Sequence, residues 1–204
     1  VYAAKGRPSD NPLIVHVNDS ADASLFAETN ETYKKLAKQF MPGPLTVILP
    51  KKDVIPDEVT GGLRTVAVRC PSNPIARELI RRSGVPIAAP SANLSGKPSP
   101  TCAEHVMQDM DGRIAMVIDG GECEIGLEST VIAVSGNSAN VLRPGAVTPD
   151  MLRSAGIAVT VDEAVTDPAK AGSAPQSPGM KYKHYAPQAA VTICLLYTSD
   201  AADE

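Results

Sequence analysis

An α/β or α+β domain on a mixed, twisted sheet with flanking helices is predicted by three observations. Short β-rich apolar runs recur along the chain, among them LIVHV (13–17), TVAVRC (65–70) and STVIAV (129–134). Amphipathic stretches with cap signals lie between them. Strands and helices alternate without strict βαβ repetition and one hairpin interrupts them, so the sheet should mix parallel and antiparallel pairs. The 204 residues, 43% of them hydrophobic, suffice for one sizeable core.

The elements follow in order. VYAAK reads as the last turn of a helix with Gly6 as its stop, and further residues are therefore expected upstream. LIVHV, between Pro12 and Asn18, reads as a buried strand. Asn30 or Thr29 can cap NETYKKLAKQF, which sets Tyr33, Leu36, Ala37 and Phe40 on one face. A Pro-Gly-Pro turn leads into the strand LTVILPK, and TVAVRC is the next strand. NPIARELIRRSG has Asn73 as cap, Pro74 in the first turn, Arg81 and Arg82 in the last turn and Gly84 as stop. VPIAAP is a strand running into the loop SANLSGKPSP. Thr101 and Glu104 then have capping-box spacing for a helix to about Met110. MVIDGG (116–121) reads as a strand, and STVIAV with ANVLRPG as a hairpin turning at Ser135 to Ser138. Thr148-Pro149 opens a helix to Gly156, and IAVTV is a final strand. From Asp162 to Pro178 the composition shifts to Ala, Pro, Ser, Lys and Gly, as in a linker. AAVTICLL reads as a buried strand, yet TSDAADE leaves it nothing to pair with, so truncation and a non-native tail over 195–204 are expected.

Composition narrows the function. Aromatics are 3% and Trp is absent, which argues against a nucleic-acid platform of stacked rings. Net charge is −4 but uneven: residues 1–101 hold 13 Lys and Arg against 9 Asp and Glu, and residues 102–204 hold 6 against 14. A basic first half suits an anionic ligand, phosphate or RNA. Cys70, Cys102, Cys123 and Cys194 form no CxxC, which fits reduced thiols in a cytoplasmic protein. No apolar run approaches the roughly 20 residues of a membrane span.

Chemistry should gather in the loops at strand ends. Lys5, Arg7, Arg64, Arg69, Lys97 and Arg143 all fall there. Each alone reads more readily as a surface charge, but several converging would suit a triphosphate. Arg69 ends an apolar strand and needs a partner. Ser91, Asn93 and Ser95 offer neutral donors in one loop, and GLEST sets Ser129 and Thr130 at a strand start with Glu128 beside them. No G-x-S-x-G, Walker loop or G-x-G-x-x-G occurs, and His16, His105 and His184 lack metal-ligand spacing. Residue spacing alone thus leads to an anion-binding α/β domain with a nucleotide as the favoured ligand.

Taken together the blocks resemble a known family. KGRPSDNPLIVHV resembles the K-x-R…NPL…H signature of the L-threonylcarbamoyladenylate synthases, which have the YrdC-like fold. PGPLTVIL, TVAVRCP, PIAAPSANLSGKPSPT, GLESTVI and VLRPGAVT resemble successive blocks of the same family over about residues 1–160. SPGMKYKHYAP resembles the linker of its longer, two-domain members. The resemblance implies a catalytic domain over 1–161, a linker over 162–188 and the start of a second, Rossmann-like domain over 189–204. It implies ATP, L-threonine and bicarbonate or CO2 as substrates, with Mg²⁺ on the phosphates and pyrophosphate released. The product would go to other proteins that modify a tRNA adenosine. Lys5, Arg7, Asn11, Thr65, Ser91, Ser99, Arg143 and Tyr185 would serve ATP. His16, Arg69, Ala89 and Ser129 would line the threonine pocket. No side chain is assigned as nucleophile or metal ligand.

The family's upstream Thr-x-Tyr-Gly-Leu block is not in this sequence, so weak activity of the chain as it stands is expected. Two alternatives stay open: an RNA-binding YrdC-like module without catalysis, and a related carbamoyl-transferring enzyme. The synthase reading requires Arg7, Arg69, Ser91, Ser129 and Arg143 to face one pocket.

Overall fold

The computed structural model describes residues 1–166. In chain order the elements are α1 (Tyr2–Lys5), β1 (Ile14–His16), a 3-10 turn (Ser20–Leu25), α2 (Glu31–Phe40), β2 (Leu45–Pro50), α3 (Asp57–Thr60), β3 (Thr65–Arg69), α4 (Pro74–Ser83), β4 (Ile87–Ala89), α5 (Ala103–Met110), β5 (Thr130–Ser135), β6 (Ser138–Arg143), α6 (Pro149–Ser154), β7 (Ala158–Val161) and α7 (Glu163–Thr166). The seven strands form one sheet in the order β4-β1-β3-β2-β5-β6-β7. Pairs β1–β3, β2–β5 and β6–β7 are parallel, and β1–β4, β2–β3 and β5–β6 antiparallel. The mixed sheet expected from the broken βαβ rhythm is thus the one observed.

Strand alternation decides which face does what, because successive side chains point to opposite sides. Val15, Val17, Val66, Val68, Cys70, Val47, Leu49 and Ile132 fill the larger core, against Tyr33, Leu36 and Ala37 of α2 and Leu152 of α6. Fully burying a side chain such as Leu36 contributes about 1.5–3 kcal/mol. The alternate residues Ile14, Ala67, Ile48, Val131 and Leu142 form a thinner cluster on the opposite face. His16 and Arg69 continue that second set at the strand ends, paired in register in the parallel β1–β3 ladder.

Most caps act as their residue types predict. The Asn30 side chain accepts from the Tyr33 amide, that of Asn73 from the Ile75 and Ala76 amides, and that of Thr148 from the Met151 amide. Gly6 and Gly84 terminate α1 and α4 in the left-handed conformation.

Three expectations change. The Thr101–Glu104 capping box does not form: Cys102 is the N-cap of α5 and makes no side-chain cap bond, while Thr101 Oγ1 lies 3.3 Å from His105 Nδ1. MVIDGG is not a strand, because residues 116–121 pair with no sheet neighbour among the described residues and Met116 and Ile118 stay exposed. Apolar content alone cannot make a strand without a ladder partner. Within the stretch read as linker, Glu163–Thr166 is a further helical turn. Residues 167–188, the 189–204 segment and Tyr185 lie outside the described residues.

Candidate functional site

The thinly covered face of the sheet opens into a cleft of about 620 Å³. Its floor comes from β1, β3 and β4 through Ile14, His16, Arg69 and Ala89. One wall is the loop after β4, with Ser91, Asn93, Lys97 and Ser99. The other is the GLEST segment with Arg143 at the end of β6, and Arg7 comes from the turn before β1. Arg7, His16, Arg69, Ala89, Ser91, Ser99, Ser129 and Arg143 therefore share one cavity despite their separation in sequence.

Each cation is held by neighbouring oxygen atoms. Arg7 Nη2 donates to the Pro12 carbonyl at 2.8 Å, and its Nε to that of Asn11 at 3.4 Å. Arg69 Nε donates to the Gly43 carbonyl at 3.1 Å, which supplies the partner that its place on an apolar strand demands. Arg143 directs Nε and Nη2 to the Ser129 carbonyl at 3.1 and 2.8 Å, and Nη2 also to Ser129 Oγ at 3.0 Å. Ser129 Oγ in turn lies 2.8 Å from Thr46 Oγ1. Lys97 is paired with Asp109 at 2.6 Å.

His16 is kept neutral. Burial, and then the Arg69 charge beside it, lower its pKa from the ordinary 6.5 to about 4. Its Nδ1 lies 3.3 Å from the Ile87 carbonyl oxygen, which can only accept, so this geometry places the ring proton on Nδ1.

Three expected ligand contacts do not line the cleft. Lys5 is buried, and its ammonium donates to the carbonyls of Ser91, at 2.5 Å, and Asn93. It thus pins the Ser91–Asn93 loop, and burial followed by the nearby Arg7 lowers its pKa to about 8. Asn11 is buried behind Arg7, with its Oδ1 the one buried side-chain oxygen or nitrogen lacking a hydrogen-bond partner among the described residues. Thr65 opens β3 opposite Pro50. It stands four residues before Arg69, about 13 Å along the strand at the usual rise. Arg64, next to it, is also outside the cleft.

Glu128, noted in the sequence only as a neighbour of Ser129, has a place in the cleft that its residue type did not announce. It lines the cleft, accepts from Ser99 Oγ at 2.6 Å and pairs with Arg143 Nη1 at 2.5 Å. Its only trace in the sequence is the GLEST block, which reads equally well as an ordinary strand start.

Three arginines and a neutral histidine line one cleft on the open face of a twisted mixed sheet, which defines the class as a mixed-sheet α/β protein with a cationic cleft. The chain belongs to the Sua5/YciO/YrdC family: the family model described as "Telomere recombination" matches residues 1–145. A second model, "Threonylcarbamoyl-AMP synthase, C-terminal domain", matches residues 147–203. The chain is 53% identical to the threonylcarbamoyl-AMP synthase of Bacillus subtilis (strain 168), over 95% of this chain and 56% of that protein. It is 48% identical to the Pyrococcus abyssi protein of the same name, over 95% of this chain and 56% of the relative. The crystal structure of P. abyssi Sua5 complexed with L-threonine superposes with a TM-score of 0.87 at 49% identity, covering 92% of this chain and 55% of the other. The chain thus spans little more than half the length of these relatives.

Proposed function

We propose that the cleft forms L-threonylcarbamoyl-AMP from L-threonine, bicarbonate or CO2, and ATP, with release of pyrophosphate. The observation that carries this reading is the convergence of Arg7, Arg69 and Arg143 with Ser91, Ser99, Ser129 and neutral His16 on one cleft of about 620 Å³. That volume is within the usual range for small-ligand sites. Support comes from the relatives named threonylcarbamoyl-AMP synthase and from the threonine bound to the P. abyssi protein.

The chemistry asks for positioning and charge stabilisation. The threonine amine adds to CO2 and loses a proton to give a carbamate. A carbamate oxygen attacks the α-phosphorus, the bond to the bridging oxygen breaks, and pyrophosphate leaves. Two anions must be held against each other, so cations have to come from both sides. Arg69, rising from the floor, would clamp the threonine carboxylate, with His16, Ala89 and Ser129 around it. His16 stays uncharged there and contributes polar contact. Arg7, Arg143, Ser91 and Ser99 form the rim suited to the phosphates and nucleoside. Lys5 acts through the loop that it pins, and Asn11 Oδ1, without a hydrogen-bond partner among the described residues, is a polar group in reserve next to Arg7.

Mg²⁺ would arrive on the phosphates and neutralise part of their charge. The donors fit that manner of delivery: among the described residues, Glu128 is the single carboxylate lining the cleft, and no group of three His, Cys, Asp or Glu could hold a metal ion. Ser91 and Ser99 would touch its water shell.

The test measures pyrophosphate release. Release should require ATP, L-threonine and bicarbonate together. Release indifferent to threonine, or no binding of ATP in calorimetry, would remove the reading. Binding of RNA that weakens steeply with salt and needs no threonine would favour the RNA module instead.

A further inference from the structure

Glu128 has no task in the chemistry above, yet it joins the two walls of the cleft. Its Oε1 accepts from Ser99 Oγ at 2.6 Å, and its Oε2 pairs with Arg143 Nη1 at 2.5 Å. Ser99 belongs to the loop after β4, and Arg143 ends β6 on the far side of the sheet order. The other Arg143 nitrogens are held by Ser129, the next residue after Glu128. One short segment therefore fixes the guanidinium in its plane and ties a hydroxyl to it. Both side chains of the pair are mostly shielded, with 16% of Arg143 and 22% of Glu128 exposed, so water screens the contact only partly.

The backbone is shaped for this arrangement. A Cβ on Gly145 would lie 2.5 Å from the Glu128 carbonyl oxygen and 2.6 Å from the Thr130 nitrogen. The strand leaving Arg143 thus passes against the segment that carries the carboxylate. A carboxylate among the cleft arginines also runs against the simplest electrostatic optimum for an anion site. A geometric gain can offset that repulsion, because an arginine binds phosphate best when its planar fork is already oriented.

We infer that Glu128 is a positioning residue for the nucleotide, holding Arg143 and Ser99 in the arrangement that receives the phosphates. The inference rests on reading the cleft as a nucleotide site. It sets two opposed outcomes for one substitution. If Glu128 were only a nearby negative charge, its removal would tighten anion binding. If it positions, removal weakens binding although the cleft becomes more positive.

The experiment is calorimetric titration of the protein with ATP and, separately, with pyrophosphate. Wild type, Glu128→Ala, Glu128→Gln, Ser99→Ala and the Glu128→Ala/Ser99→Ala pair are compared, with thermal unfolding as the check on folding. Glu128→Ala should bind ATP about tenfold more weakly. Glu128→Gln, which keeps an acceptor for Ser99 but loses the ion pair, should fall between it and wild type. The double variant should lose less than the product of the two single losses, because both act on one contact. Unchanged or tighter ATP binding by folded Glu128→Ala overturns the inference, as do losses that multiply independently. If the alanine variant does not fold, Glu128→Gln decides alone: weaker binding supports the inference and equal or tighter binding overturns it. Wild type that binds neither ATP nor pyrophosphate removes the nucleotide reading and this inference together. Wild type that binds ATP while the Glu128 variants bind as well or better removes only the latter.

Discussion

His16 should make the protein lose stability as pH falls, by an amount that one substitution can isolate. The imidazole lies in β1 beside Arg69, in register on β3, and its Nδ1 lies against the Ile87 carbonyl. Burial first, and Arg69 second, lower its pKa to about 4 from the ordinary 6.5. The unfolded chain therefore takes up a proton below about 6.5, while the folded chain refuses it until about 4. Within that window the unfolded state binds more protons, so unfolding free energy falls as pH drops. At pH 4.5 the loss attributable to this one group should be about 2–3 kcal/mol. Carboxylates also titrate over the same range, so the measurement is a difference. Urea unfolding of wild type and of His16→Gln is followed from pH 7.5 to pH 4.5. The wild type's stability relative to the variant should decline across the window by the amount above, which corresponds to about 4–12 °C in melting temperature for a domain of this size. A difference between the two proteins that stays flat, or moves the other way, would show that His16 is not held neutral between Ile87 and Arg69. The same reasoning makes the KM for threonine free of a His16 titration between pH 6.5 and 8.

Other outcomes follow from the cleft. Arg69→Lys should raise the KM for L-threonine about tenfold with little change in that for ATP, since a single ammonium replaces a planar fork; steady-state pyrophosphate assays check it. Gly145→Ala places a Cβ inside contact distance of the Glu128 and Thr130 backbones and should lower stability by about 2 kcal/mol or more, read by denaturant unfolding, with loss of ATP binding. Lys5→Met keeps the apolar stem but removes the donor to the Ser91 and Asn93 carbonyls. It should speed amide hydrogen exchange over residues 91–97 and weaken ATP binding, whereas weaker binding with unchanged exchange would mean that Lys5 meets the phosphates directly.

Much of the fold was legible because it rests on local rules. Asn30, Asn73 and Thr148 cap their helices, and Gly84 stops α4, through contacts within a few residues. The β5–β6 hairpin closes through a turn between Ser135 and Ser138, as its short β-rich flanks imply. MVIDGG misled because its apolar run needs a neighbouring ladder that no local signal can promise. The Thr101–Glu104 spacing misled for a related reason: Cys102 starts the helix, leaving Thr101 one residue too early to cap it.

The site divides in the same way. Residue types and their places at strand ends marked Arg7, Arg69, Ser91, Ser129 and Arg143 as chemistry, and the alternation of β1 and β3 put His16 and Arg69 on the face away from the main core. What each cation touches depended on loops that meet across long separations in sequence. Lys5 is drawn inward by two carbonyls about ninety residues away, Thr65 sits at the wrong end of its strand to reach the cleft, and Glu128 bridges a hydroxyl and a guanidinium from opposite walls. By itself the sequence determined most of the strands and the longer helices and the set of polar groups available, because period, caps and charge are short-range properties. Only the tertiary structure decided which of those groups point at ligand and which hold the others in place, because that depends on distances between segments whose spacing along the chain carries no such information.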